Sequence, residues 1–342
     1  MTTRERELTT PVNLCNPDGA SLNPAARGWS RVPLHRANLD GRPDGTRKWD
    51  YWAVLAGDVV LSALYADLGE FGLADVGWID LVAGVQGGAA IVTGPGAVRL
   101  PERPGTAPLA VHQDAFDLAI VDGDGGTRLA ASWTEADGRP GRLDVFVELP
   151  PGHESLNVVV PWSVDRFDYT SKQQARPATG SLRVGERTWD VGSPGGADAW
   201  GVLDVGRGRW PSSVTWNWGG GAGRVGGHVV GIQVGATWTE GTGATENGFL
   251  VDGRLTKLGR ELEWDYSWDE PLRPWHVRDP GGQLDLVLAP RYDKHSQVHA
   301  GRIGSETHQV FGTWSGRLET DEGHVLAVVD AQGFAEEARQ RW

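Results

Sequence analysis

The chain has 342 residues and a formal net charge of −13, so a phosphate backbone is repelled and nucleic acid is excluded as a partner. One cysteine, Cys15, excludes an internal disulfide framework and a cysteine-cluster metal site. With 49 glycines, 20 prolines and 39% hydrophobic residues, the composition calls for short strands joined by tight turns, since glycine usually makes up only about 7% of a chain.

The N-terminus, MTTRERELTT, carries charges but no apolar signal core, and no run of roughly 18 apolar residues follows. The expectation is a soluble, cytoplasmic protein without integral membrane association. Residues 11 to 52 are dense in punctuation, with Pro11, Pro17-Asp18-Gly19, Asn23-Pro24, Pro33, Asp40-Gly41 and Asp44-Gly45, so this segment should drape over a barrel rather than form its wall. Its polar residues Arg27, Trp29, Arg31, His35 and Asn38 would lie near the stretch KWDYW. There, alternation sends Lys48, Asp50 and Trp52 to one face and Trp49 and Tyr51 to the other. Arg31, His35, Lys48, Asp50 and Trp52 are read either as ligand contacts or as salt bridges and staples that hold the irregular segment down.

Strands are expected at Val59 to Ala66, Gly77 to Val82, Ala89 to Thr93, Phe116 to Val121, Arg128 to Thr134, Arg142 to Leu149 and Asn157 to Pro161. No strand is followed by a helical pattern, so parallel winding is disfavoured. Gly180 to Val191 reads as a hairpin around Gly185. In the second half, strands are expected at His228 to Trp238, Glu261 to Tyr266, Gln283 to Pro290, Gln309 to Thr320 and His324 to Val329. Gly248 to Leu258 reads as a hairpin whose Asp252-Gly253 pair suits a type I′ turn. Phe334 to Arg341 (FAEEARQR) reads as a short C-terminal helix, acids first and arginines last. The two halves end alike, at Trp210 and Trp342, each with a Gly-x-Leu element, a turn, a strand and Arg-x-Arg-Trp. That likeness is either chance or duplication; read as duplication, it gives an all-β architecture of two antiparallel barrels or sandwiches, residues 1–205 with the irregular segment and residues 206–342.

The succession LTTPVNLCNPDG, ARGWSR, ANLDG, RKWDYW, FDYTSKQQARPATG, GVLDVGRGRWP, TWNWGGGAG, WTEGTGATENGFLVDGRLTKL, SETHQVFGTWSGRL and GFAEEARQRW resembles the bacterial family catalogued as domain of unknown function 2804, from about Leu8 to Trp342. More distantly, the GxLxVGxxxxxV element followed by a Trp-rich strand resembles the duplicated lipocalin-like proteins, which include carotenoid hydratases, tocopherol cyclases and fungal Diels–Alderases. That resemblance implies two lipocalin-like barrels and a pocket for a large apolar molecule, often isoprenoid or polyketide. The hydratases carry an Asp-His-Glu-Trp type of motif where this chain reads Ala199-Trp200-Gly201-Val202-Leu203-Asp204, so only Asp204 is carried over as a candidate.

Arg207 to Asn247 gathers Trp210, Trp216, Trp218 and Trp238 with Arg207, Arg209, Asn217, Glu240, Glu246 and Asn247. Aromatic walls with a few converging polar groups describe a small-molecule pocket, although Trp216 and Trp218 would equally serve as core. Glu246 and Glu240 flank a Gly/Thr-rich turn beside the tryptophans; a carboxyl enclosed by indoles has its charged form desolvated, which raises its pKa toward that of a general acid. Glu240 is otherwise a solvated loop acid, and Glu246 otherwise a hydrogen-bonded pin for the turn. Arg207 and Arg209 would clamp an anionic tail or pair with a neighbouring acid. His308 is a further acid/base candidate. His295, His299 and His308 fall close together, but no HExxH or HxH pair occurs, so no metal is expected. VDGDGGT lacks the terminal Glu of a calcium loop, and no Gly-Lys-Ser/Thr phosphate loop is present. The expected function is a cofactor-independent isomerase, cyclase or hydratase acting on a lipophilic small molecule. A non-catalytic carrier of lipid or isoprenoid is the alternative, and a glycoside-cleaving enzyme with paired carboxylates a lesser one.

Overall fold

The computed structural model describes residues 5–39, 45–106, 108–301 and 303–341; the turns expected at Asp40-Gly41 and Asp44-Gly45 and the closing Trp342 lie wholly or partly outside them. Among the described residues the strands form a 13-stranded sheet, a 9-stranded sheet and a parallel pair, Val12–Asn13 with His35–Arg36. Strands up to Trp200–Arg209 build the larger sheet, and those from Ser213–Val225 onward build the smaller. Both are antiparallel and curl into half-barrels, as glycine and proline punctuation without helical periods requires. No described helix is long and apolar enough to cross a membrane.

Local chemistry explains the hairpins. Strands Asn247–Val251 and Arg254–Leu258 are joined through Asp252 at φ 49° and Gly253 at φ 78°, the two positive angles that a type I′ turn needs. The expected C-terminal helix is not formed. Phe334 to Arg341 instead continues the strand Val325–Arg341, paired with Ser213–Val225 on one side and Ile303–Glu319 on the other. Ladders on both flanks, with apolar contacts above and below, outweigh a helix propensity of a few tenths of a kcal/mol per residue. Alternation then sends Phe334 toward the larger sheet and Ala335 into the core of the smaller one.

Each curled sheet wraps its own core, around Leu61, Val76, Leu118 and Leu143 in the first and Ile232, Leu286, Leu288 and Trp314 in the second. Burying each such side chain is worth about 1.5–3 kcal/mol. A third layer, with Ala53, Leu55, Val60, Ile79 and Val202 from the first sheet against Trp218, Phe311 and Phe334 from the second, joins the two. The irregular N-terminal segment is draped only in part. Leu14, Cys15, Leu22 and Ala37 cover Val159, Phe167 and Tyr169, whereas Trp29–Ser30 pairs with Leu156–Val160 and Thr46–Ala56 is an inner strand of the larger sheet, because its KWDYW alternation fits a strand flanked on both sides.

The strand Phe167–Val184 is the unusual one. All of its first ten residues, FDYTSKQQAR, are buried although most are polar. A bulge between Gln173 and Arg176, with Ala175 at φ 58°, holds a left-handed backbone rarely adopted by residues with a Cβ. Upstream of it Asp168, Thr170 and Lys172 alternate onto the face that meets the second sheet.

Candidate functional site

Between the two sheets, four buried carboxyl groups each accept a hydrogen bond from an indole. Trp49 Nε1 donates to Asp204 at 3.1 Å, Trp210 to Asp168 at 2.9 Å, Trp238 to Glu246 at 2.6 Å and Trp216 to Glu336 at 2.7 Å. Lys172 lies among them, its Nζ 2.7 Å from Asp204 Oδ1 and 3.5 Å from Glu246 Oε1, and 4.7 Å from the centre of the Trp218 ring. The strand register explains the first pair, since Lys172 and Asp204 are direct cross-strand partners. The register also explains Trp49. Gly206 lies opposite it, and a Cβ on Gly206 would come within 2.1 Å of the Trp49 ring, so the indole reaches Asp204 only across a glycine.

The indoles form a cage with Trp210 at its hub. From its centroid, those of Trp49, Trp238, Trp162 and Trp216 lie at 5.0, 5.2, 5.6 and 5.7 Å, distances typical of favourable edge and tilted contacts. Trp162 Nε1 donates to the Trp238 carbonyl at 2.7 Å. Trp210 thus occupies the middle of the cage that the sequence had implied to be an open pocket, and Trp49, Trp162 and Trp216, each half-buried, form its outer edge. Surface clefts of about 470 Å³, lined by Arg278, Asp285 and Arg317, and of about 170 Å³, lined by His153, Pro177 and Asp252, share no residue with it.

Burial controls the protonation of this cluster. Desolvation raises the carboxyls of Glu246 and Asp168, against the Lys172 charge and the indole donors. Glu336 is pushed up to about 7 by burial, although Trp216 and the Gln309 amide, at 2.9 Å, both donate to it. Burial alone would lower Lys172, but the carboxylates of Asp204 and Glu246 more than offset it and hold the ammonium protonated. Tyr51, whose hydroxyl is buried, is raised by desolvation and by the nearby Glu336 charge.

Of the residues singled out from sequence, the fold brings together Glu246, Asp204, Trp210, Trp216, Trp218 and Trp238. Asn217 and Asn247 pin their neighbours: Thr237 Oγ1 donates to the side-chain amide oxygen of Asn217 at 2.7 Å, and Gly235 N to that of Asn247 at 2.7 Å. Glu240 is exposed on the turn, apart from the cluster. The alternation at KWDYW is as expected, but Trp49 and Tyr51 are the residues that face the second sheet. Lys48, Asp50 and Trp52 face the other way, where Trp52 joins the first core beneath the Arg176 guanidinium. There the fully buried Arg207 pairs with Asp50 at 2.6 Å and donates to the Trp49 carbonyl, closing a structural ion pair. Arg209 donates to the Ala20 carbonyl at 2.9 Å and Arg31 bridges Glu7 and Glu154, both tying down the irregular segment. His35 Nε2 donates to the Ala26 carbonyl at 2.9 Å beneath the same segment. His308 lies on the opposite face of its strand from Gln309, paired with Asp293 at 2.8 Å.

Lys172, Asp168, Trp49, Trp162 and Glu336 were not singled out. The available signal for the first two was FDYTSKQQAR, a strand-length polar run without alternation, which only burial on both faces explains. For Glu336 it was the alternation of Phe334, Glu336 and Ala338, hidden by a helix-like composition.

The chain belongs to the family described as domain of unknown function (DUF2804), whose model matches residues 5–342. No curated protein matches it in sequence. Among solved structures it is similar to CghA with Sch210972, at 11% identity over 91% of this chain and 89% of that one, with a TM-score of 0.45. It is also similar to kievitone hydratase from Nectria haematococca, at 12% identity over 87% and 89%, with a TM-score of 0.47.

Proposed function

We propose that this family member is a cofactor-independent enzyme of the isomerase, cyclase or hydratase type, which moves a proton on a lipophilic small molecule seated between the two sheets. The observation that carries the reading is the surplus of buried carboxyls: Asp168, Asp204, Glu246 and Glu336 gather around Lys172, which lies within ion-pair distance of Asp204 and Glu246, while Lys257 acts on Glu246 and Lys294 on Glu336 at longer range. A network serving stability alone gains nothing from that surplus, because each extra buried acid costs desolvation. Raised carboxyls beside aromatic surface are what general acid–base chemistry at neutral pH requires.

In this reading Glu336 gives or takes the proton, since burial holds it at about 7. The substrate lies against the half-buried rim of Tyr51, Leu81, Trp216 and Tyr292 at the edge of the inter-sheet layer. The Trp216 indole face there steadies a developing positive charge by roughly 2 kcal/mol once water is excluded. Lys172 and Asp204 keep the cluster charged and ordered, and Glu246 is a reserve acid. The two units expected at residues 1–205 and 206–342, with the division moved to follow the strand Trp200–Arg209 that completes the larger sheet, then share one reaction site.

The test begins with protein purified from its own host and extracted with organic solvent to identify any small molecule it retains. That molecule is returned to the protein in D2O and followed by NMR for product or for deuterium at carbon. Glu336→Gln is expected to slow the reaction at least ~100-fold, the usual range for losing a general acid, and Glu240→Gln to leave it unchanged. Full turnover in both Glu336→Gln and Glu246→Gln ends the proposal. Tight retention without turnover by the wild type makes the protein a carrier.

A further inference from the structure

We infer that the C-terminal sheet carries a binding site for a divalent transition ion of the zinc type, formed by His295, Glu306 and His308 with Asp293 behind them. This site is separate from the carboxyl cluster. His295 and His308 are direct cross-strand partners on Leu284–Ala300 and Ile303–Glu319. Period-two alternation places Asp293, His295, Glu306 and His308 on one face. Val310, two residues beyond His308, continues that face into the C-terminal core, whereas the intervening Gln309 faces Glu336. No sequence motif marks the site because its ligands are brought together by pairing across the hairpin, not by spacing along one strand.

One ring nitrogen from each histidine and one oxygen of Glu306 lie within 4.8 Å of one another. Ligands about 2.0–2.1 Å from a tetrahedral zinc ion stand roughly 3.3 Å apart, so the groups must close by about 1.5 Å at most. His295 is exposed and Glu306 half-buried, and the two already meet, His295 Nε2 lying 3.1 Å from Glu306 Oε1. The two imidazoles lie face to face, 4.2 Å apart and within 6° of parallel, so the exposed His295 ring must also tilt for both in-plane lone pairs to converge on one ion.

His308 is already held as a ligand needs to be. Its Nδ1 donates to Asp293 Oδ2 at 2.8 Å, which leaves Nε2 as the coordinating nitrogen, the carboxylate–histidine arrangement that orients metal ligands. The other Asp293 oxygen is buried without a hydrogen-bond partner. Trp268 packs edge-on against His308 at 4.5 Å, backed by the Arg339 guanidinium 3.6 Å from the Trp268 ring centre. Arg339 is itself paired with Glu337 at 2.6 Å. Two imidazoles and one carboxylate favour zinc, with nickel and copper as competitors, and they leave a fourth position for water or another ligand.

The experiment titrates chelator-treated full-length protein with zinc chloride by calorimetry, and with cobalt(II) chloride by visible absorption. Expected are one saturable site per chain, cobalt bands of a four- or five-coordinate ion, and a rise in melting temperature with zinc. Asp293→Asn should weaken binding ~10- to 100-fold, and His295→Ala and His308→Ala each by more. His299→Ala, on the same strand, should change nothing. Since His295 is exposed, its alanine variant keeps the fold and decides the matter: an unchanged isotherm in His295→Ala overturns the site, as does the absence of saturable binding in the wild type.

Discussion

Lys172 and Asp204 face each other across adjacent strands of the larger sheet, Nζ to Oδ1 at 2.7 Å, and both are almost wholly withdrawn from water. The ammonium is the charge against which the surrounding acids are balanced. Lys172→Met should therefore leave Asp204 and Glu246 uncompensated and destabilise the fold at pH 8 by about 3–5 kcal/mol. The deficit should shrink at pH 5, because burial raises the Glu246 carboxyl and so eases its protonation. Urea denaturation at the two pH values checks this; equal losses at both would refute it.

Glu336 imposes a pH dependence of known sign. Its folded pKa, about 7, lies above its ordinary value of 4.5, so the folded state holds the proton more tightly. The stability this confers is complete below about pH 4.5 and is lost as pH rises through 7. Wild type should lose on the order of 2 to 3 kcal/mol more than Glu336→Gln between pH 5 and 8. Parallel melting curves for the two proteins across that range would contradict the assignment.

His35 acts at the acid end. Burial lowers it to about 4 from 6.5, so the folded state keeps the ring neutral, and the stability this gives is present above 6.5 and lost as pH falls toward 4. Its ring lies 4.5 Å from that of Tyr169 beneath the N-terminal segment. Limited proteolysis should accordingly cut residues 11–39 faster at pH 4.5 than at pH 7. His35→Leu, which cannot take up the proton, should flatten that acid-side change.

Gly206 separates a steric requirement from a conformational one. Gly206→Ala drives a methyl into the Trp49 ring and should cost about 1–3 kcal/mol, with a change in tryptophan emission as the Trp49–Asp204 contact is lost. Gly123→Ala, at a position with open space around it, should be close to neutral. Similar stabilities for the two variants would show that the indole has room to move.

The all-β architecture was legible because turn chemistry is local: Asp252-Gly253 dictates its own dihedral angles, and the glycines and prolines mark the strand ends. The site was only half legible. Alternation in KWDYW correctly separated Trp49 and Tyr51 from Lys48, Asp50 and Trp52, but nothing in five residues states on which side another sheet will pack. Glu336 was obscured because helix propensity is read within one segment, whereas its strand is imposed by two neighbours distant in sequence. Lys172 stands 32 residues from Asp204 and 74 from Glu246, and no window of local reasoning spans both.

The cage and its charges are shared across the chain. Asp168, Lys172 and Asp204 come from one sheet, Glu246 and Glu336 from elements of the other, and Trp210 stands in the short link between them. Neither portion can therefore drift independently in evolution: a neutralising replacement on one side must be answered on the other. A hybrid that grafts the second portion of one relative onto the first portion of another would inherit mismatched halves of a single electrostatic lock, even where each sheet folds well by itself.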